Sequence, residues 1–135
     1  MKLSRKSEYA CLALIDLSEH YDEGLVKIDD ISKRKDIPKK YLEQILLILK
    51  GAGYLRSHRG AEGGYRLAKK PSEVTLAEII RLIDGALAPV ESVSKYFYEH
   101  TPIEKSKKLI LLFRDIRDYI ANKLEKTTFA DILGK

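Results

Sequence analysis

The first apolar run of the chain extends from Tyr9 to Leu17 and is interrupted only by Asp16. Ser4 precedes it as a candidate side-chain cap, so the pattern predicts a first helix buried on most sides. After the acidic turn HYDEG, the segment VKIDDISKRKDIPKKYLEQILLILKGAGYL places apolar residues at Ile28, Ile31, Ile37, Leu42, Ile45, Leu46 and Leu49. That spacing predicts a short helix, a tight turn around Asp36 to Pro38 and a second helix ending at Gly51 to Gly53. Pro38 is tolerable because it falls where a helix begins and its missing N–H is not needed.

The period then changes. YLRSH and GYRLA are two short alternating runs joined by RGAEGG, the pattern of a β-hairpin with a glycine-rich tip. Two helices followed by a hairpin predict a winged helix-turn-helix. Helix resumes at TLAEIIRLIDG, with Thr75 as its cap and Gly85 as its stop. Residues 86–102 hold two prolines and the cluster Tyr96, Phe97, Tyr98 and His100, and read as a loop with a partial helical turn. A long helix is expected from Ile103 to about Lys126, then a short last one in TTFADILG. The long helix has a seam at Leu109, Leu112, Phe113, Ile116, Ile120 and Leu124, with Ile110, Leu111 and Tyr119 beyond it. One stripe docks a helix on its own core; the extra width predicts a second face buried in a twofold dimer, against the plainer alternative of a helix wrapped within its own domain. The expected fold class is therefore mainly α with a small β-hairpin: a winged helix-turn-helix (residues 1–85), a loop (86–102), and a dimerisation helix with a short last helix (103–135).

Composition narrows the setting. The chain has 135 residues, 44% of them hydrophobic, enough for one domain with a true core. Its N-terminus loosely imitates a signal peptide, but Glu8 and Asp16 bracket the apolar run and no small-x-small site follows. No apolar stretch approaches the roughly 18 residues of a membrane span. Cys11 is the sole cysteine, which excludes an intramolecular disulfide framework and a CxxC zinc ribbon and fits a reducing cytoplasm.

Charge changes the picture more. Residues 1–70 hold 15 Lys or Arg against 10 Asp or Glu, whereas residues 71–135 hold 10 of each. Within residues 33–70 the count is 11 to 3, so 38 residues carry +8. Such an imbalance is the footprint of a surface that meets a polyanion. Membrane lipid would also satisfy it, but the cations are spread over several elements and do not form one face of an amphipathic helix.

The glycine-rich loop is no phosphate cradle: it lacks GxxxxGK and GxGxxG, and a strand, not a helix, follows it. As a hairpin tip it places Arg59 where a wing can lower a guanidinium into a narrow minor groove; the bland alternative is an ordinary surface hairpin. In a helix-turn-helix the early residues of the second helix face the major groove, here Lys39, Lys40, Tyr41, Glu43 and Gln44. Lysines hold phosphate or guanine, Glu43 can accept from a cytosine amino group, and Gln44 matches an adenine edge. Some of these residues face solvent only. Arg66, on the returning strand, is a candidate phosphate contact.

MKLSRKSEYA, YLEQILLILKGAGYL, RGAEGGYRLAK and TLAEIIRLIDG together resemble the Rrf-two (Rrf2) family of bacterial transcription regulators. The likeness runs from residue 1 to about 90 and resumes weakly at KTTFADIL. The resemblance implies a cytoplasmic homodimer crossed at the long helix, with both winged domains on an inverted-repeat operator in double-stranded DNA. It also implies base contacts at Lys40, Tyr41 and Glu43 and Arg59 in the minor groove. Cluster-binding members carry three cysteines in the loop before the long helix, and here that loop has none. The chain looks most like the cluster-free branch that includes a repressor of cysteine metabolism, so no cofactor is expected. Cys11 is expected as core packing rather than as a redox sensor, and His100 with Glu99 or Glu104 is a poor metal site. The regulatory surface is expected in residues 86–102, whose aromatic residues suit a partner protein or small ligand, unless those rings cover the base of the dimer helix.

Two other classes fit less well. A winged-helix protein-interaction module without DNA has little use for the +8 segment. An enzyme would need a Ser, His and acid trio, a Cys and His pair or a metal spacing, and none appears in any segment with defined structure.

Overall fold

The computed structural model describes residues 1–134. Its helices are α1 (Arg5–Glu19), α2 (Ile28–Lys35), α3 (Lys39–Gly51), α4 (Leu76–Asp84), α5 (Lys107–Glu125) and α6 (Phe129–Ile132). Strands β1 (Leu55–His58) and β2 (Gly64–Leu67) form an antiparallel pair in which Leu55 faces Leu67 and Arg56 faces Arg66. Short 3-10 turns occupy Pro71–Glu73, Glu91–Val93 and Pro102–Lys105. None of the described helices is long and apolar enough to cross a membrane.

The core is assembled from the positions the periodicity singles out. Ala10, Ala13, Leu14 and Leu17 of α1 meet Ile31, Ile37, and Leu42, Ile45, Leu46 and Leu49 of α3, with Leu55 and Leu67 closing it from the hairpin. Asp36 turns α2 into α3 in the left-handed conformation, φ 53°, which aspartate tolerates better than most residues. Ser4 caps α1 by accepting from the Ser7 N–H, while the Ser4 N–H donates to Asp84 at the end of α4 (2.9 Å). Thr75 and Glu78 form a capping box on α4, and Gly85 ends that helix at φ 92°. α1 is less uniformly covered than its composition implies: Leu12 is exposed and Cys11 half-buried.

Asp16, the one break in the first apolar run, is itself buried, at 1% exposure. The Arg34 guanidinium donates to both of its oxygens, from Nε at 2.8 Å and from Nη2 at 3.0 Å. This two-pronged pair fastens α2 to α1 and draws the Arg34 pKa further upward.

Two segments depart from the sequence reading. The long helix begins at Lys107, not Ile103. Pro102 starts a separate 3-10 turn, and Ser106 is extended, with its hydroxyl accepting from the Leu109 N–H at 3.3 Å as the true cap. The short last helix, adjacent in sequence to α5, packs elsewhere: Phe129, 1% exposed, sits in the core beside α1. The Phe129 N–H donates to Val74 and the Leu76 N–H to Thr127, so the C-terminus closes the winged domain.

Arg34→Ala leaves a buried carboxylate without its main partner. It is expected to lower the unfolding free energy by about 1–3 kcal/mol in urea titrations. Lys35→Ala breaks only the more exposed pair with Glu19 and should cost under about 1 kcal/mol.

Candidate nucleic-acid interface

Four apolar side chains of α3 point inward and fix its register. Lys39, Lys40, Glu43, Gln44, Leu47 and Lys50 are consequently exposed, on the outer side of a helix whose neighbours are α1, α2 and β1. Beside this face stands the hairpin. An open cleft runs between Leu47 and Lys50 of α3, Lys27 to Asp29 at the start of α2, and Ser57 to Gly60 of the wing. Arg59 lies in this cleft, exposed and without an ion-pair partner among the described residues.

The wing is not a free arm. Val26 and Tyr65 exchange both backbone hydrogen bonds, each 2.8 Å, adding a third short backbone run to the hairpin. Gly64 makes this approach possible: a Cβ there would lie 2.6 Å from the Val26 carbonyl oxygen. One residue on, the Lys27 ammonium donates to the Ala61 carbonyl at 2.7 Å and ties down the tip. Residues 26 and 27 thus set where Arg59 stands relative to α3.

The candidate residues are not equivalent. Lys39 pairs with Asp29 at 2.9 Å, which raises the pKa of Lys39 and lowers that of Asp29, the hydrogen bond being the main cause. Lys40 has no such partner among the described residues. Tyr41 is half-buried, its ring meeting Tyr9 edge-on with centroids 5.3 Å apart, so the ring buttresses α1. Glu43 and Gln44 stand free on the outer face. Arg66 is on the outward side of the hairpin, opposite Arg56, and lines a different concavity with His20 and Asp22. The structure therefore brings Lys39, Lys40, Glu43, Gln44 and Arg59 to one side and leaves Arg66 apart from the cleft.

Counting charge along the chain overstates the free charge. Of the eleven cations in residues 33–70, Arg34, Lys35 and Lys39 are paired with Asp16, Glu19 and Asp29, which lie outside that window. Lys27, Leu47 and Lys50, which the sequence reading passed over, line the cleft instead. Lys50 and Leu47 could have been found by projecting α3 at 100° per residue; Lys27 could not, because its partner is 34 residues away.

Among the described residues no group of three or more His, Cys, Asp or Glu side chains is placed to hold a metal ion. Burial, and then the Asp84 carboxylate, push the Cys11 thiol up to about 11, so it stays protonated at neutral pH. An iron–sulfur cluster needs several thiolates, and the residues present do not fit one. Tyr98 and His100 both contact Glu104, which organises the loop before α5.

A family model, Rrf2, described as an iron-dependent transcriptional regulator, matches residues 3–135. The chain is 34% identical over 132 residues to the HTH-type transcriptional regulator CymR of Bacillus subtilis, spanning 98% of this chain and 89% of that protein. Against the solved structure of CymR, the global cysteine regulator of B. subtilis, the TM-score is 0.79 at 32% identity, covering 98% of this chain and 95% of that one. Against IscR of T. potens it is 0.76 at 31% identity, covering 99% and 87%.

Lys27→Met removes the tie on the wing tip without emptying any core site. The melting temperature should stay unchanged, while exchange of the Gly63 amide, bonded to the Gly60 carbonyl at 3.0 Å, should accelerate roughly three- to tenfold. Unchanged exchange would show that the tip is held by its own turn.

Proposed function

Because this chain belongs to the Rrf2 family of transcriptional regulators, we propose that it is a cytoplasmic repressor that binds an inverted-repeat operator in double-stranded DNA as a homodimer, without an iron–sulfur cluster. The observation that carries this reading is the cleft in which the outer face of α3 stands beside Arg59, which is held on the tethered wing and has no ion-pair partner among the described residues. α3 enters the major groove. There Lys40, Glu43 and Gln44 reach base edges, with the Tyr41 hydroxyl at the margin of its buttressing ring. Arg59 is lowered by the wing into the adjacent minor groove, where a narrow groove concentrates negative potential. Lys39 must exchange Asp29 for a phosphate when DNA arrives, and Arg66 contributes a backbone contact at most.

The dimer reading is supported by what α5 leaves uncovered. Only Ala121 of this helix is fully buried, while Leu111 and Tyr119 are 62% and 74% exposed. Phe113, Ile116, Ile120 and Leu124 are half-buried, and Leu124 packs against Ala77 and Ile80 of α4. Leu109, Leu112 and Tyr119, exposed on one side of α5, form an apolar stripe that fits a second copy of the same helix, which would set two recognition helices roughly 34 Å apart, one turn of DNA. The loop of residues 86–102 is the proposed regulatory surface for a partner protein or small ligand: Leu87, Ala88 and Val93 anchor it, and Tyr96, Phe97 and Tyr98 are exposed.

The protein is expected to retard its own upstream promoter duplex in excess nonspecific competitor, with or without an iron chelator. Arg59→Ala should weaken that binding by about 1–3 kcal/mol with the fold intact, and Glu43→Ala should relax base preference at one position. Arg66→Ala should lower affinity evenly and flatten the salt slope by about one unit, Lys39→Ala by less, because Asp29 already neutralises it. Failure to retard any duplex would favour a protein-interaction module.

Sedimentation should give a dimer at micromolar concentration. Replacing both Leu111 and Leu112 with Asp should give monomers that keep the helical circular dichroism of the winged domain, since neither side chain enters its core. A wild-type monomer that still binds DNA would remove the dimer from the mechanism.

A further inference from the structure

The outer face of α3 carries charged or amide side chains at Lys40, Glu43, Gln44 and Lys50, and one apolar exception. Leu47 is 71% exposed, although the helix buries Leu42, Ile45, Leu46 and Leu49 completely. Its exposure does not come from a frayed end: Leu47 lies in the third turn, flanked by the buried Leu46 and Leu49. Nor does it belong to the band on α5, which packs on α4 and the loop. It lines the cleft whose other wall is the wing tip with Arg59.

We infer that Leu47 is a specificity-determining residue that packs against the C5-methyl group of a thymine in the major groove. This rests on the reading of α3 as the helix that enters that groove. Among the four standard bases, only thymine presents an apolar group there, and an aliphatic side chain can meet it without leaving a donor or acceptor unpaired. At a guanine or cytosine the same leucine would desolvate a polar edge and return nothing to it. Gln44, one turn earlier on the same face, suits an adenine edge. Three residues advance a helix by about 4.5 Å, close to one base-pair step, so Leu47 reads the thymine beside the pair that Gln44 reaches. Glu43 and Lys50 flank the contact and keep the rest of the face polar.

The test uses the full-length protein and a duplex selected by the wild type from a random pool. Each thymine is replaced in turn by uracil, which deletes the methyl group and keeps every hydrogen bond. One thymine per half-site is expected at which uracil weakens wild-type binding about three- to fivefold. Leu47→Ala should bind the all-thymine duplex weaker by a similar factor and be indifferent to uracil at that position. It should keep the wild-type affinity for random DNA and the wild-type salt slope. Leu47→Gln, of similar length but with a polar end, is the second variant and should lose the same discrimination. If the wild type binds its selected duplex and no uracil position separates it from these variants, the inference is overturned while the DNA-binding reading stands. If the wild type selects no duplex, both fall.

Discussion

The winged domain depends on the Asp16–Arg34 pair. α2 is only eight residues long, with Ile31 its one fully buried residue, so apolar packing alone holds it loosely. The pair supplies what packing does not: direction. A carboxylate held side-on by Nε and Nη2 of a guanidinium restricts the approach of α2 to α1, and α3, joined to α2 by the left-handed turn at Asp36, is seated on the same helix by its four buried side chains. Apolar replacements of buried pairs are often no less stable. The value of this one lies in the geometry it imposes more than in net stability.

The wing is positioned by the same logic at its other side. Backbone exchange between Val26 and Tyr65, made possible by the bare Gly64, and the Lys27 tie to Ala61 attach the hairpin to the segment that leads into α2. Both readers of the proposed interface, α3 and Arg59, are thereby referred to one short stretch of chain, residues 26–36. A base-reading surface requires this, because positional errors of an ångström between two contacts forfeit hydrogen bonds whose useful range is about half an ångström.

The C-terminal half has a different economy. α5 and the aromatic loop leave much of their apolar surface uncovered in a single chain, whereas α6 returns to seal the first core with Phe129. α5 is joined to the winged domain by the packing of Leu124 on Ala77 and Ile80, by the Arg81–Glu125 pair at 2.7 Å and by the chain that runs from α5 into α6. α4 and α1 meet at Ser4 and Asp84, and α1 in turn packs on α3.

Much of this was legible in the sequence because helix and strand periodicity is a local property: the partition of Leu42, Ile45, Leu46 and Leu49 from Lys40, Glu43 and Gln44 follows from 3.6 residues per turn alone. The hairpin and the caps at Ser4, Thr75 and Gly85 were equally local, and the family likeness was carried by four short motifs along the first ninety residues. What the tertiary structure decided was pairing across distance. Lys39 and Arg34 look alike in sequence to Lys40 and Arg59, yet the first two are engaged by Asp29 and Asp16, and the last two have no ion-pair partner among the described residues. Arg66, a candidate phosphate contact by its place on the returning strand, lines a concavity with Arg56 and His20 rather than the cleft of Arg59. Phe129 joins a core whose other members lie fifty or more residues before it, and the long helix starts at Lys107 because the Ser106 cap, not an apolar count, sets where its first turn begins. Charge and packing act through space, so no linear window could assign them; periodicity acts along the chain, and there the sequence was sufficient.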